Sequence, residues 1–425
     1  MRIALYRDVF VPLTAFAAMT LATTAQAQTL TVQCHSDGPE CEATEALARR
    51  FELGHPGVKI LIDAGPDKSP VEPLATQAAG GEGPDIERIT DLGHLGPASL
   101  DLRPYLSPAR LQAWNDSFSN TLPWLRTGPS DQGIYGLMSH LTLTGAFVNK
   151  TLFEQARVVM PGPGASWDAW MAAAHKVAKA TGAPFAMTMD RSGPGFAALA
   201  VAYGAKILDT KGHLTIDAGY RAAARKLLGW HKAGLLSREV WGKPQSRDAF
   251  EEFANARAVI YYSGSWQLRR MNAEVSRAFD WIVVPAPCGP AACTATPGGA
   301  VFVARKWTRQ PALAARFLDF LAEDANYLEL TARAGNIPAS QTVAKAGVSY
   351  DNMTADVKAG LAVFAASVPK IAPINFSVQG DRLDRMLFQP TVQRLGQSVA
   401  GEISPEEALK RLTTDVDEQL RVVGR

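Results

Sequence analysis

Residues 133–156 read GIYGLMSHLTLTGAFVNKTLFEQA: a turn, a long extended run, and a helix that begins after Asn149. The chain has 425 residues, and nearly 400 exceed what a single hydrophobic core usually supports, so two domains are expected. No internal repeat or long low-complexity linker divides the sequence. Passages between domains must therefore be short extended segments, and LMSHLTLTG is a segment of that kind.

Downstream, SWDAWMAAAHKVAKATG (166–182) predicts a helix with Ser166 as N-cap, Asp168 in the first turn and Gly182 just past the end. APFAMTMD (183–190) reads as a strand and RSGPGF (191–196) as a polar loop. A helix follows from about 218 to 234, and EEFANARAVIYYSGSWQLRRM (251–271) gives a short helix, a buried strand, and a loop SGSW that opens another helix.

Upstream, LTVQC (30–34) and VKILIDA (58–64) are strands, joined by ECEATEALARRFELGHPG (40–57), whose apolar residues have helical spacing. This β-α-β opening predicts parallel strands. The stretch VEPLATQAAGGEGPDIERITDLG (71–93) reads as a helix, a Gly-Pro turn, and a strand ending near Asp91. Ligands of open α/β sheets bind beyond the carboxyl ends of the strands, which makes CHSDGPEC (34–41) and TDLG (90–93) neighbouring lips of one candidate cleft.

Residues 1–27 have the form of an export signal: Arg2 and Arg7 at the start, an apolar run, and Ala25-Gln26-Ala27 as the cleavage pattern. Removing 27 of 425 residues leaves 398, expected in the periplasm, an oxidising compartment where disulfides persist. The cysteines then form two local pairs, Cys34 with Cys41 and Cys288 with Cys293; four cysteines allow three connectivities, so this pairing is an expectation. Neither pair has C-x-x-C spacing and no histidine pair sits nearby at zinc-ligand spacing, so no metal is expected. Loss of Arg2, Arg7 and Asp8 leaves 41 basic against 40 acidic residues, which argues against a nucleic-acid surface. G-x-S-x-G, H-E-x-x-H, Walker A and post-strand G-x-G-x-x-G motifs are absent from the sequence; a glycoside hydrolase with paired carboxylates is the remaining enzyme alternative.

Four blocks, in order and spacing, give the chain a wider likeness: 133–156, FANARAVIYYSGSW (253–266), TPGGAVFVARKWTRQPALAARFLDFLAED (296–324) and RAGNIPAS (333–340). Together they resemble the family-1 extracellular solute-binding proteins of ABC importers, the family that includes maltose-binding protein. Ala256 stands where many members have glycine. The resemblance implies an α/β, two-lobed periplasmic-binding-protein fold (type II) joined by hinge strands, with lobe one over 28–139 plus 264–303 and lobe two over 140–263 plus 304–425. It further implies a monomer that closes on a carbohydrate or polyol and presents it to membrane permease subunits, with no catalytic residue and no cofactor. A binding protein serving a sensor kinase is the alternative partner assignment.

Sugar hydroxyls pair with planar polar groups and sugar faces stack on aromatic rings. On that chemistry the candidate ligand-binding residues are Trp266, with Gly264 and Ser265 beside it; Gly298 and Gly299, whose N–H groups could face a ligand; Asp91 at a strand end; and Ser36, Asp37 and Glu40 in the opening loop. His140 on the hinge strand, Asp190 and Arg191 at a strand end, Trp241, Asn336 and Arg382 complete the set. Arg191 keeps an anionic ligand open, a phosphorylated, sulfonated or uronic sugar, because guanidinium prefers such groups.

Overall fold

The computed structural model describes residues 28–35, 39–65, 83–90, 98–126, 130–208, 214–242, 248–377 and 384–423. The expected export signal, the helix expected within 71–80, and the candidates Ser36, Asp37, Asp91 and Arg382 lie outside these residues. Both expected disulfides are formed, Cys34–Cys41 and Cys288–Cys293. Among the described residues, no helix is long and apolar enough to cross a membrane.

β1 (Gln28–His35), α1 (Glu40–Gly54) and β2 (Val58–Gly65) form the expected unit, with β1 and β2 parallel from Gln28↔Val58 to His35↔Gly65. α1 buries Leu47, Ala48 and Phe51, one face at helical spacing, and carries Glu40 and Glu42 in its first turn, where carboxylates suit the helix dipole. β3 (Ile86–Ile89) adds to the other side of β1 in parallel. β8 (Pro297–Ala304) then pairs antiparallel with β3.

β4 (Leu137–Asn149) is the strand on which the architecture turns. Its residues 137–143 pair with β8, and from Thr144 onward it pairs with β6 (Ala258–Gly264); β7 (Trp281–Val284) takes its other edge at 146–149. β5 (Phe185–Met189) closes the second half, parallel to β6. One strand thus belongs to two half-sheets, and the change of partner falls between Leu143 and Thr144.

The helices cover these halves separately. α2 (Trp167–Thr181) is capped by Ser166 Oγ, which accepts from Ala169 N–H at 3.1 Å, and ends at Gly182 with φ 77°. α3 is Gly193–Ala202, α4 Ala218–Lys232, α5 Pro311–Ala322, α6 Asp324–Ala334, α7 Ala355–Ser367, α8 Gln389–Ala400 and α9 Pro405–Val423. RSGPGF is a helix start rather than a loop: Ser192 Oγ accepts from Gly195 N–H, and Pro194 sits in the first turn, where its missing N–H leaves nothing unmade.

These contacts divide the chain differently from the expected lobes. α5 and α6 pack on α1, with the first half-sheet, although they fall in the segment 304–425 assigned to lobe two. β7, within the segment 264–303 assigned to lobe one, pairs with β4 in the second half. The reason is that β8 returns the chain to the first half-sheet, and the helices after a strand cover the sheet that strand joined. Leu141 N–H then bonds Ile337 O at 2.8 Å, and α7 packs back on β7, so the chain returns to the second half after Ile337.

Candidate functional site

Strand register gathers several of the candidates at the point where β4 changes partners. Gly264 lies opposite Thr144, Gly298 opposite Thr142 and Gly299 opposite Leu141. A Cβ at Gly299 would meet His140 O at 2.2 Å, so this glycine permits the close approach of β8 to β4. Ser265 follows Gly264, and its Oγ accepts from Leu143 N–H at 3.2 Å, tying the SGSW turn to β4. Trp266 comes next and is 43% exposed, an unusual degree for an indole, with its ring against Gly264.

Asp190 reaches the same region from the end of β5. Its carboxylate accepts from Tyr261 Oη at 2.8 Å and from Ser263 Oγ at 2.5 Å, both on β6. Burial raises its pKa to about 6, and these two hydrogen bonds only partly oppose the rise. Asn336 stands one residue before the Ile337 bridge to Leu141; its main-chain carbonyl accepts from Tyr350 Oη at 2.6 Å, and its N–H caps α6 by bonding Thr331 O. Arg191 turns towards α8, where Gly396 leaves it room: a Cβ there would lie 3.1 Å from its guanidinium. Its Nε is buried without a hydrogen-bond partner among the described residues, and burial lowers its pKa.

Three candidates are placed inward. Trp241 is fully buried, its Nε1–H bonded to Met189 O at 2.9 Å, so it is a core residue of the second half and not a stacking platform. Glu40 is 4% exposed and its carboxylate meets the Arg88 guanidinium and, at 3.2 Å, His140 Nδ1. Burial alone would raise the Glu40 pKa, but His140 and Arg88 together hold it well below the usual carboxylate range. Glu40, Arg88 and His140 therefore form a buried polar cluster, and neither Glu40 nor His140 offers its polar atoms to an open surface.

Sequence reasoning did not single out Arg88, Tyr261, Ser263 or Thr144. Thr144 Oγ1 accepts from Thr296 N–H at 2.8 Å, joining β4 to the segment that leads into β8. A signal for Arg88 exists in IERI: both charges of that strand are buried, Glu87 against Arg305 at 2.9 Å and Arg88 against Glu40. Two unlike charges inside a four-residue buried strand require partners elsewhere in the chain. No group of three or more His, Cys, Asp or Glu side chains among the described residues could hold a metal ion.

Two half-sheets sharing one strand, with polar and aromatic groups gathered at the shared point, form an architecture found among solute-binding proteins. Residues 46–362 match the family model of the bacterial extracellular solute-binding proteins, and the chain belongs to that family. A search of curated proteins finds no match. Among solved structures, the chain is similar to the cyclic α-maltosyl-1,6-maltose binding protein of Arthrobacter globiformis, at 18% identity and TM-score 0.74 over 92% of this chain and 98% of that one. It is also similar to the sugar-binding protein MalE of Xanthomonas citri, at 19% identity and TM-score 0.72 over 93% and 98% of the two chains. The GacH receptor of Streptomyces glaucescens, solved unliganded and with acarbose, gives 20% identity and TM-score 0.73 over 93% and 99%. At these identities the likeness establishes the two-lobed periplasmic-binding-protein fold.

Proposed function

We propose that this protein is the substrate-binding component of an ABC importer, capturing a carbohydrate or polyol by closure of its two lobes and delivering it to membrane permease subunits. The observation that carries the reading is Trp266, a 43% exposed indole held against Gly264 beside the β4 crossing. An exposed flat apolar face next to hydrogen-bonding groups is what a sugar ring requires. Family membership supports an exported solute carrier, and similar folds include a cyclic α-maltosyl-1,6-maltose binding protein and a receptor solved with acarbose. On this reading the mature chain starts after Ala27, works in the periplasm as a monomer, and performs no catalysis.

Calorimetry and thermal melts against a panel of neutral sugars and polyols test the proposal. A saturable rise in melting temperature is expected from mass action, with the ligand recovered chemically unchanged. Turnover of the ligand, or no response to any member, would overturn it. A variant of the reading, an anionic glycoside, rests on Arg191 beside Asp190, whose guanidinium suits phosphate, sulfonate or carboxylate. Tight binding only of phosphorylated, sulfonated or uronic members of the panel would select that variant.

A further inference from the structure

The covers of the two halves meet through a pair of aromatic rings. Trp124 stands in the turn Leu122–Leu125, which follows the helix Pro108–Phe118. That helix belongs with the first half: Trp114 Nε1–H donates to Asp319 Oδ1 on α5 at 2.8 Å, and the Phe118 ring packs edge-on against Tyr327 of α6. Phe376 stands in the short helix Pro373–Ser377, which packs on α3 of the second half. The Trp124 and Phe376 rings are stacked, with centroids 5.8 Å apart and planes 28° from parallel, and Trp124 is 4% exposed. Trp124 Nε1–H is buried without a hydrogen-bond partner among the described residues, so the ring faces carry the contact.

The residue before Phe376 fixes its helix to the passage between the halves. Asn375 is fully buried, and its side-chain amide donates to Thr294 Oγ1 at 3.0 Å and to Ala295 O at 2.8 Å. Ala372 N–H also donates to Thr294 Oγ1, at 2.9 Å. Thr294 and Ala295 lie just ahead of β8, and Thr296 N–H, next in the chain, bonds Thr144 Oγ1 where β4 changes partners. The segment 372–376 is thus anchored at the passage while Phe376 reaches across to the first half. Movement of one half against the other leaves the strands connected, but it must slide or part the Trp124 and Phe376 faces. An aromatic pair contributes enough beyond its buried area to change the balance between two arrangements roughly two- to tenfold.

We infer that Trp124 and Phe376 form a latch between the lobes, anchored by Asn375, whose stacking sets how far apart the lobes rest without ligand. The movement of the lobes rests on the proposed function; the stacked pair does not. Spin labels on unnatural side chains at Leu53 in the first half and Val159 in the second, 85% and 88% exposed, report lobe separation in the ligand-free protein by electron–electron double resonance. Phe376→Leu keeps apolar bulk without a ring face and should shift and broaden the distance distribution; Phe376→Ala should do so further. Phe376→Tyr keeps the ring and should match wild type, and melting curves establish that each variant is folded. A distribution like wild type in both Phe376→Leu and Phe376→Ala, or one in Phe376→Tyr displaced as far as in Phe376→Ala, would overturn the latch. A wild-type distribution that no sugar or polyol of the panel changes would count against the solute-binding reading instead, and the response to Phe376→Ala would still decide the latch.

Discussion

The ring of Trp266 lies directly against Gly264: a Cβ built on Gly264 would fall 2.0 Å from Trp266 Cζ3 and 2.6 Å from Leu143 O. Gly264 is extended, with φ −170°, so its role is clearance and not backbone freedom. Trp266→Ala is expected to lower ligand affinity about 10- to 100-fold, as for a stacking anchor. Its effect on stability should be smaller than that of truncating the fully buried Trp241, because Trp266 is 43% exposed. Gly264→Ala should lower both affinity and melting temperature, since ring and strand must shift together. Calorimetry paired with melting curves separates the two variants; a Trp266→Ala protein that binds like wild type would remove the stacking role.

Glu40 joins Arg88 and His140 out of contact with water, and breaking such a cluster differs from replacing it. Glu40→Gln removes the buried carboxylate that the 5% exposed Arg88 and His140 both meet, and should cost about 3–5 kcal/mol. Adding Arg88→Met should restore most of that loss. Because the folded pKa of Glu40 lies below 4.5, its stabilisation is present above that pH and lost as pH falls towards the folded value. Urea unfolding of wild type, single and double variants measures all three effects; additive losses would mean that the cluster is not coupled.

Asp190 gives the opposite slope. Its pKa of about 6 lies above the ordinary 3.8, so between roughly pH 4 and 6 the folded protein holds a proton that the unfolded chain has released. Its contribution to stability therefore falls as pH rises through that window. Asp190→Asn should remove this slope, so that the stability difference between wild type and variant changes from pH 4 to 6 and is flat above 7. Parallel profiles across the whole range would show that Asp190 does not titrate there.

Ala256 adopts φ 52°, the left-handed region, in the turn that ends the helix Ala249–Ala254. Its N–H bonds Phe253 O at 2.8 Å, and Arg257 N–H bonds Glu252 O at 2.9 Å, a helix end that favours glycine. Ala256→Gly is expected to raise stability by up to about 1 kcal/mol, the relief of strain exceeding the added freedom of the unfolded chain. A fall in the urea midpoint would contradict this.

The glycine missing at 256 was visible in the sequence as a departure from the family's pattern, and the backbone gives its physical meaning. Local signals carried most of the elements: Ser166 and Gly182 bound α2 as expected, and the β-α-β opening has its parallel pair. What sequence could not carry was non-local. Trp241 and Trp266 are both tryptophans near a turn, and only packing makes one a core residue and the other a surface. Glu40 and His140 read as two separate ligand contacts until the fold brought them to each other, with Arg88 between distant segments. The course of the chain between the two half-sheets is non-local in the same way, since the partner of β8 cannot be read from β8 itself.

The sharing of β4 also sets the order in which this chain can fold. β1, β2 and β3 are synthesised within the first 89 residues, yet their half-sheet reaches β4 only through β8, which ends at Ala304. Its helical cover on α1 is complete only when α6 ends at Ala334. For about three quarters of synthesis, then, the amino-terminal half has no finished sheet to settle into. An interleaved chain of this kind withholds until late the pieces that would lock its amino-terminal half shut.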